Sequence, residues 1–332
     1  MPELPEVQTT VNGINRSLRG LRITDVWTDY GSPLYENHKQ IKSGKFFKKF
    51  KKDVVGVKIL KAERRAKNVL IHLSNPPSSS SRVTSARQGG NTILVHLKMT
   101  GHLLYGEYVK RKTQNVKRDN KKLNASRSTL HEYWSAVERG PLRDDPYNQY
   151  IHLVFTLSNG RHLVLSDVRK FAKVTILPTE KLAEEFKQIG PEPLEKSFQL
   201  SAFSLQLNKR PKGKIKPVLM DQSVVAGIGN IYSDEILWAS SVHPLRSVKS
   251  LNARDLKNIF VNIKLILKKG TEFGGDSLQD YRRLDGERGK FQHKHRAYQR
   301  TGLPCLKKNC RGTIRRIAIG GRSAHFCDKH QR

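Results

Sequence analysis

The stretch Cys305-Leu306-Lys307-Lys308-Asn309-Cys310 is followed, after a spacer of sixteen residues, by Cys327-Asp328-Lys329-His330, and this pattern decides how the end of the chain folds. Two ligand pairs joined by a hairpin-length spacer with a Gly-Gly turn are typical of a tetrahedral Zn²⁺ site. The stretch uses all three cysteines of the chain. It therefore predicts one structural zinc ion held by Cys305, Cys310, Cys327 and His330. His325 is a less well spaced alternative for the fourth ligand.

The composition limits what the rest of the chain can be. Among 332 residues, 62 are Lys or Arg and 29 are Asp or Glu, which gives a formal net charge of +33. Because 36% of the residues are hydrophobic, the chain can build a core, and a disordered basic tail is excluded. A charge this large needs a polyanionic partner, and nucleic acid is the first candidate.

Several classes of protein do not fit the sequence. No run of about 18 apolar residues is present, so we expect no membrane span. The first residues include Glu3 and Glu6 and no apolar stretch, so we expect no secretory leader. Three clustered cysteines are too few for a disulfide framework and favour metal binding in a reducing compartment.

Short β-branched runs separated by Gly, Pro and Ser dominate the first half of the chain and predict an antiparallel β-sandwich. They cover residues 54–60, 69–73, 92–97, 151–157, 162–165 and 172–177. Two segments are predicted to be insertions, at about 75–91 and 107–148. The first is rich in Pro, Ser and Gly. The second contains eight Lys or Arg within 110–127, which predicts a solvated loop, with a nonspecific phosphate contact as the alternative.

After Pro178 the apolar residues repeat with the 3.6-residue period of helices. Helices are predicted over 203–207, 217–223, 231–240 and 253–269, with Asn252 as a candidate N-cap and Gly270 as the end of the last one. The chain therefore divides into a β-sandwich domain over 1–178, a helical domain over 179–296 and a zinc-finger hairpin over 297–332.

The N-terminus offers a chemical group that few proteins use. Because Pro2 is small, Met1 is expected to be removed, which leaves a secondary amine. An α-amino group titrates at about pH 8, so a useful fraction is an unprotonated nucleophile that can form an iminium at a sugar carbon. Glu3 could move a proton beside it. The alternative is an ordinary frayed terminus.

Six stretches, in order along the chain, resemble the formamidopyrimidine-DNA glycosylase family. They are Pro2-Glu3-Leu4-Pro5-Glu6-Val7, Arg64-Arg65-Ala66-Lys67, His96-Leu97-Lys98-Met99-Thr100-Gly101, Gly190-Pro191-Glu192-Pro193-Leu194, Gly227-Ile228-Gly229-Asn230-Ile231-Tyr232, and Tyr298-Gln299-Arg300-Thr301-Gly302-Leu303-Pro304-Cys305. The resemblance covers the chain apart from the two insertions.

This resemblance implies a bifunctional base-excision repair enzyme. Such an enzyme removes oxidised purines, chiefly 8-oxoguanine and formamidopyrimidines, from double-stranded DNA, and then nicks the abasic strand by β,δ-elimination. The resemblance further implies an α+β protein with a helix–two-turns–helix domain, acting as a monomer on DNA in the bacterial cytoplasm, with no membrane partner.

The resemblance also assigns the catalytic roles. Pro2 would be the nucleophile at C1′, and Glu3 the acid that supports ring opening and later proton transfers. Lys67 would donate a proton in β-elimination, and we expect Arg64 and Arg65 to lower its pKa. Arg300 would act in δ-elimination and bind phosphate.

The remaining carried-over residues would contact DNA. Met99 would fill the void left by the flipped base, Arg169 would face the orphaned cytosine, and Phe171 would wedge between base pairs. For Met99 and Phe171, core packing is the alternative that the pattern alone favours. Phosphate contacts are expected from Tyr150, His152, Lys212, Lys216 and Asn230, the last also as a helix N-cap. Residues 273–291 resemble a loop over the flipped base.

Two departures and two alternatives remain. The family finger usually has four cysteines and a C-x2-C pair, whereas here His330 takes the last place and the first pair is C-x4-C. The first alternative is an endonuclease VIII-like glycosylase for oxidised pyrimidines. The second is a non-catalytic DNA-damage binder on the same scaffold.

Overall fold

The computed structural model describes residues 1–75, 90–113 and 131–332. Most of the predicted loop over 75–91 and most of the basic stretch over 110–127 lie outside these residues. The described strands are β1 Ile23–Thr28, β2 Ile59–Arg65, β3 Asn68–Leu73, β4 Asn91–His96, β5 His102–Gly106, β6 Tyr108–Thr113, β7 His131–Ala136, β8 Ile151–Leu157, β9 His162–Ser166, β10 Lys173–Pro178, β11 Ile314–Ile319 and β12 Arg322–Cys327. The described α-helices are α1 Leu4–Ser17, α2 Gly44–Val54, α3 Pro141–Asp144, α4 Leu182–Glu185, α5 Leu200–Asn208, α6 Ile215–Met220, α7 Asn230–Ser240 and α8 Ala253–Glu272.

The first half of the chain is the predicted antiparallel β-sandwich. One sheet has the strand order β1-β8-β9-β5 and the other has the order β10-β4-β3-β2. Apolar side chains from both sheets meet in one core that also includes Val7, Val11 and Ile14 of α1. The predicted strand over 54–60 is wrong in its first half. Val54 ends α2, and the strand begins only at Ile59, because Phe50 and Val54 bury the apolar face of a helix.

Helix α1 was not predicted from the sequence, although its start has a clear signal. The carboxylate of Glu3 and that of Glu6, three residues later, form a capping box, and Pro5 lies in the first turn. Val7, Val11 and Ile14 recur on one buried face. The helix therefore begins at Leu4, two residues after Pro2.

Part of the predicted insertion over 107–148 is packed rather than solvated. Strands β6 and β7 pair as a hairpin that covers the outer face of the first sheet. There Tyr108 joins Leu104, Val154 and Val164, and Trp134 packs against them.

The helical domain has its own core, and one residue from the N-terminus enters it. Leu4 is fully buried among residues of α5, α6, α7 and α8. In return, Leu284 packs into the sandwich core. Gly270 does not end α8, which continues to Glu272. A Cβ on Gly270 would lie 2.6 Å from the Tyr232 ring, so glycine is needed there for close packing rather than as a stop.

The last strands, β11 and β12, form the predicted hairpin, and β12 lies against α7. Among the residues that the structure describes, no helix combines the length and apolar character that crossing a membrane requires.

Candidate active site and nucleic-acid interface

The N-terminus is docked on the turn that precedes α7. The Leu4 backbone nitrogen donates to the Gly227 carbonyl oxygen at 3.0 Å. Gly227 has φ +87°, a left-handed conformation that favours glycine, and a Cβ there would come within 2.6 Å of the Leu4 side chain. Gly229 has φ −136°, so its backbone does not require glycine. It is needed because a Cβ would lie 2.4 Å from the Glu3 carboxyl carbon.

The carboxylate of Glu3 caps helix α7. It accepts hydrogen bonds from the backbone nitrogens of Gly229 at 2.7 Å and of Ile231 at 2.9 Å. The positive end of the helix dipole favours a negative charge at this place. Asn230, expected as the N-cap, is instead the first helical residue, and its Oδ1 is buried without a hydrogen-bond partner among the described residues. The cap is therefore supplied from the other end of the chain.

Glu6 is a buried acid that the sequence interpretation missed. Its carboxylate accepts hydrogen bonds at 2.7 Å each from the Glu3 backbone nitrogen, the Tyr232 hydroxyl and the Asp276 backbone nitrogen. Burial raises the pKa of Glu6 to about 7, and the nearby charges of Glu3 and Asp276 add to the effect. The spacing of the capping box was the available signal.

Pro2 is buried in the wall of a cavity of about 160 Å³. Met99, Tyr298 and Arg322 also line this cavity, which brings the sandwich, the chain terminus and the zinc-finger hairpin together. Residues 278–281 close one side, in the segment expected to cover a flipped base. The space is therefore surrounded by a candidate nucleophile, by acids and by the loop that is expected to cover a flipped base.

Lys67 lines an adjoining cavity of about 360 Å³ that shares Met1 and Arg322 with the first. Burial lowers the pKa of Lys67, the charge of Arg322 lowers it further, and Glu3 opposes both. The expected cause was wrong: Arg64 and Arg65 do not act on this pKa.

Both arginines pair instead with Glu192, and the Glu192 Oε1 also accepts from the Ala66 backbone nitrogen at 2.6 Å. This contact explains the Gly190-Pro191-Glu192 stretch, because it anchors the turn before Lys67 to the helical domain.

Met99 and Phe171 are surface residues rather than core residues. Met99 is 38% exposed and Phe171 is 46% exposed. The Arg169 guanidinium lies 4.5 Å from the centre of the Phe171 ring. An exposed Met, an exposed Phe and an Arg on neighbouring loops form a protrusion that can enter a base stack.

Tyr150 and His152 lie next to this protrusion but differ in their surroundings. Tyr150 is 45% exposed, and its carbonyl accepts from the Asp167 backbone nitrogen at 2.9 Å. His152 is paired through Nδ1 with Asp29 at 2.8 Å. The described contacts therefore leave the Tyr150 side chain free for DNA and hold His152 in place.

Of the two lysines expected on phosphates, only Lys212 is exposed. Lys216 is fully buried, and its ammonium lies 2.6 Å from Asp234 Oδ1 and 2.8 Å from the Ser323 carbonyl oxygen. Asp234 Oδ2 accepts in turn from the His325 backbone nitrogen at 3.0 Å. Lys216 thus joins the helical domain to the zinc-finger hairpin through these two contacts. Asp234 neutralises its charge inside the protein.

Arg300 is partly buried at the edge of the hairpin. It donates to the Pro304 carbonyl oxygen at 3.3 Å, while its Nε is buried without a partner among the described residues. The guanidinium of Arg300 has five N–H donors and this one acceptor among the described residues, so its terminal nitrogens are suited to an anionic ligand.

Four metal-ligating side chains converge at the end of the chain. The ligand atoms of Cys305, Cys310, Cys327 and His330 all lie within 4.8 Å of one another. His330 Nδ1 is 3.4 Å from the Cys305 sulfur, and the sulfurs of Cys310 and Cys327 are 3.6 Å apart. A tetrahedron with Zn–S bonds of about 2.3 Å has edges of about 3.8 Å, so these separations suit zinc.

His325 is held elsewhere, since its Nδ1 contacts Asp234 Oδ2 at 3.0 Å. His330 Nε2 contacts the Trp238 carbonyl oxygen at 3.1 Å, and the Trp238 indole donates to the Cys305 sulfur at 3.3 Å. Helix α7 therefore supplies the outer contacts of the cluster.

Left-handed backbone marks the same segments. Outside glycine, the described residues with positive φ include Ala66 (51°), Lys98 (55°), Lys170 (54°) and Gln299 (54°). Each of them is adjacent in sequence to Lys67, Met99, Arg169 or Arg300. Such conformations cost free energy and concentrate at functional sites.

Three more residues of the site were not predicted. Arg322 lines both cavities and follows the Gly320–Gly321 turn, where a hairpin presents its side chains outward. His96 lines the Lys67 cavity, and burial lowers its pKa to about 4, so it is neutral at pH 7. Asp276 carries no local motif, and only the folded loop brings it to Glu6.

Comparison with known proteins gives a consistent answer. Residues 1–174 match the Formamidopyrimidine-DNA glycosylase N-terminal domain, and residues 189–282 match the Formamidopyrimidine-DNA glycosylase H2TH domain. The formamidopyrimidine-DNA glycosylase of Herpetosiphon aurantiacus is 33% identical over 98% of both chains. That of Streptococcus mutans is 33% identical over 100% of both chains.

Two similar solved structures contain DNA. Lactococcus lactis Fpg in complex with DNA containing an abasic site has a TM-score of 0.74 and 27% identity over 99% of each chain. MutM in complex with DNA containing carbocyclic 8-oxo-G has a TM-score of 0.74 and 27% identity over 100% of each chain. From these matches along its whole length, the chain belongs to the formamidopyrimidine-DNA glycosylase family.

Proposed function

We propose that the chain is a base-excision repair DNA glycosylase and abasic-site lyase that removes oxidised purines from double-stranded DNA. The observation that carries the proposal is the position of Pro2 in the wall of a cavity that Met99 and Arg322 also line. Its relatives are named for action on formamidopyrimidine, and similar structures hold abasic-site or 8-oxo-G DNA.

The proposed reaction starts from the N-terminal amine. With Met1 removed, the Pro2 nitrogen adds to C1′ of the damaged nucleotide while the glycosidic bond breaks and the base leaves with a proton. The sugar ring then opens, and the nitrogen lone pair forms an iminium with C1′. Glu3, oriented by backbone N–H groups at the start of α7, lines the same cavity as Pro2 and moves the proton of ring opening.

Strand cleavage follows from the iminium. Loss of a proton from C2′ expels the 3′ phosphate by β-elimination, and a second elimination expels the 5′ phosphate. Lys67 supplies the proton in the first elimination, and burial, which lowers its pKa, makes it a stronger acid than a solvated lysine. Arg300 binds phosphate and assists the second elimination through its terminal guanidinium nitrogens.

Recognition of damage rests on the exposed protrusion. Met99 fills the void in the stack, Arg169 faces the orphaned cytosine and Phe171 wedges between base pairs. Because the Met99 and Phe171 side chains are already exposed, little packing within the protein is lost when they enter a base stack, and this supports their roles. The phosphate backbone is contacted by Tyr150, Lys212, Asn230 and Arg322. His152, paired with Asp29, and Lys216, paired with Asp234, stabilise the fold beneath this surface.

Zinc is proposed as a structural ion, because the Cys₃His set uses all four tetrahedral positions and leaves none for a reactant. When bound, it would fix the hairpin that carries Arg322. We assign residues 1–178 to the catalytic domain, 179–296 to the helical DNA-binding domain and 297–332 to the zinc finger, acting as a monomer in the cytoplasm.

The deciding experiment is borohydride trapping on a duplex with one 8-oxoguanine opposite cytosine. We expect a covalent adduct that maps to an N-terminus beginning at Pro2. The control variant, Pro2→Gly, should still bind the lesion but lose nearly all trapping and nicking.

Two results would contradict the proposal. Trapping only with thymine glycol would indicate an enzyme for oxidised pyrimidines. Tight lesion binding without any adduct, with Met1 confirmed absent by mass spectrometry, would indicate a non-catalytic binder.

A further inference from the structure

Lys42 is a buried cation that the proposed mechanism does not use. It is only 6% exposed, and it lies in the segment between β1 and α2. Its ammonium lies 5.4 Å from the centre of the Tyr30 ring and 4.9 Å from that of the Tyr35 ring. Burial lowers the pKa of Lys42, so the chain keeps this cation inside at a cost in free energy.

Among the residues that the structure describes, the ammonium of Lys42 reaches one hydrogen-bond acceptor, and that acceptor lies in the protrusion. Lys42 Nζ donates to the Lys170 carbonyl oxygen at 2.6 Å. Lys170 stands between Arg169 and Phe171 and has φ +54°. A non-glycine residue keeps this conformation only when its surroundings impose it, and the Lys42 hydrogen bond is such a constraint.

A buried carboxylate joins the same loop to the loop that carries Met99. Asp167 is fully buried and accepts from the Ala172 backbone nitrogen at 2.7 Å and from the Thr100 hydroxyl. The Thr100 oxygen accepts in turn from the Arg169 backbone nitrogen at 3.1 Å. The loop that carries Met99 and the loop over residues 167–172 are therefore joined by two hydrogen bonds at Thr100, one to Asp167 and one from Arg169.

Tyr30 connects Lys42 to this carboxylate. Its hydroxyl donates to Asp167 Oδ2 at 2.9 Å, while its ring lies against the Lys42 ammonium. Further along, Ile41 donates from its backbone nitrogen to the Val174 carbonyl oxygen at 3.1 Å, which fixes the segment beside β10. The residue before Lys42 is thus fixed to β10, while the Lys42 side chain donates to the loop over residues 167–172.

We propose that Lys42 is a positioning residue for lesion recognition. It holds the loop over residues 167–172 so that Arg169 and Phe171 enter the duplex together with Met99. The inference rests on the proposed function, since it assumes that these three side chains enter DNA. A cation suits this place because its charge strengthens the hydrogen bond to the carbonyl, binds both tyrosine faces and is balanced by Asp167.

The test separates insertion into the duplex from the chemistry at Pro2. Lys42→Met keeps the length of the side chain and removes the charge and the donor. Lys39→Met, at an exposed lysine of the same segment, is the matched control. Lys42→Arg restores a cation with donors and should recover most of the function.

The first readout is optical and needs only binding. The probe is a duplex with a stable abasic-site analogue and a 2-aminopurine next to the orphaned cytosine, whose fluorescence rises when a side chain unstacks it. At saturating protein, we expect Lys42→Met to lose most of the rise, and Lys39→Met and Lys42→Arg to keep it.

The second readout is catalytic. Excision of 8-oxoguanine from duplex DNA should fall about tenfold in Lys42→Met, the effect of losing one hydrogen bond from a charged group. Cleavage of single-stranded DNA with a preformed abasic site should stay within about twofold of wild type, since no partner strand has to be opened.

Each outcome bears on the inference. An unchanged fluorescence rise in folded Lys42→Met overturns it. Equal losses on duplex and single-stranded DNA also overturn it, because they indicate a general structural role. If wild type cleaves neither substrate, the proposed function fails, while the fluorescence measurement still tests Lys42. Should Lys42→Met not fold, Tyr30→Phe, which removes the hydrogen bond to Asp167, must reduce the fluorescence rise.

Discussion

The carboxylate of Glu3 lies 2.7 Å from the backbone nitrogen of Gly229, although 226 residues separate the two in the sequence. This contact makes the start of the chain a cap for helix α7. It fixes the orientation of the residue next to Pro2, and it makes the shape of the turn at Gly229 a condition for the proposed chemistry.

Gly229→Ala should damage the site by a steric clash and not by backbone strain, because Gly229 has an ordinary extended backbone. The added Cβ would lie 2.4 Å from the Glu3 carboxyl carbon, so Glu3 must move off the helix end. We expect a destabilisation of about 1–3 kcal/mol and a larger loss of borohydride trapping. Gly31→Ala is the control, because a Cβ there meets nothing within 4 Å. Wild-type trapping by Gly229→Ala would show that the cap does not matter.

Lys216 and Lys212 should respond differently to removal of their charge. Lys216→Met leaves Asp234 buried without its partner, and we expect a loss of about 3–5 kcal/mol in the free energy of unfolding. Lys212→Gln, at an exposed residue, should leave stability unchanged and lower the slope of log affinity against log salt by about one. Denaturant melts and anisotropy titrations at several salt concentrations measure both. If Lys216→Met were stable and had a lower slope of log affinity against log salt, Lys216 would instead be a phosphate contact, as the sequence predicted.

The zinc site should depend on His330 and not on His325. His330→Ala removes one of four ligands, so we expect less than one zinc ion per chain, a lower melting temperature and weaker DNA binding. His325→Ala should keep the zinc, because that ring contacts Asp234 instead. Zinc content by mass spectrometry of the native protein separates the two, and full zinc in His330→Ala would contradict the assignment.

Glu6 should make stability depend on pH in one direction. Burial raises its pKa from 4.5 to about 7, so the folded chain keeps this proton to higher pH than the unfolded chain does. The stabilisation from the protonated form is complete below pH 4.5 and is lost as the pH rises through 7. Relative to Glu6→Gln, wild type should therefore lose up to about 3 kcal/mol between pH 4.5 and pH 8. Denaturant melts at several pH values measure the free energy of unfolding of both proteins. If the two free energies changed in parallel with pH, Glu6 would not be the group responsible.

The sequence predicted best what depends on neighbours in the chain. The ligand spacing predicted the Cys₃His cluster, and the 3.6-residue period predicted α7 to within one residue at its start. The capping box at Asn252 is equally local. In these cases one short stretch contains both the signal and the structure that it specifies.

Contacts between distant segments could not be predicted in the same way. Periodicity shows that Lys216 lies in a helix, but not that Asp234 neutralises it. Gly270 looked like a helix end because glycine usually marks one, whereas Tyr232 and Pro5 occupy the space that a side chain would need. The sequence assigned no role to the side chains of Asp167 and Lys42, since that role arises only when three loops meet.

The cavity around Pro2 is lined by residues that lie far apart in the sequence, from Pro2 and Glu3 to Tyr298 and Arg322. Pro2 and Arg322 are 320 positions apart, and only the folded chain brings them together. A chain that lacks the hairpin would keep the amine and lose part of the wall around it. We expect such truncated products to be silent towards DNA sugars, so that incomplete copies of the protein do not nick the genome.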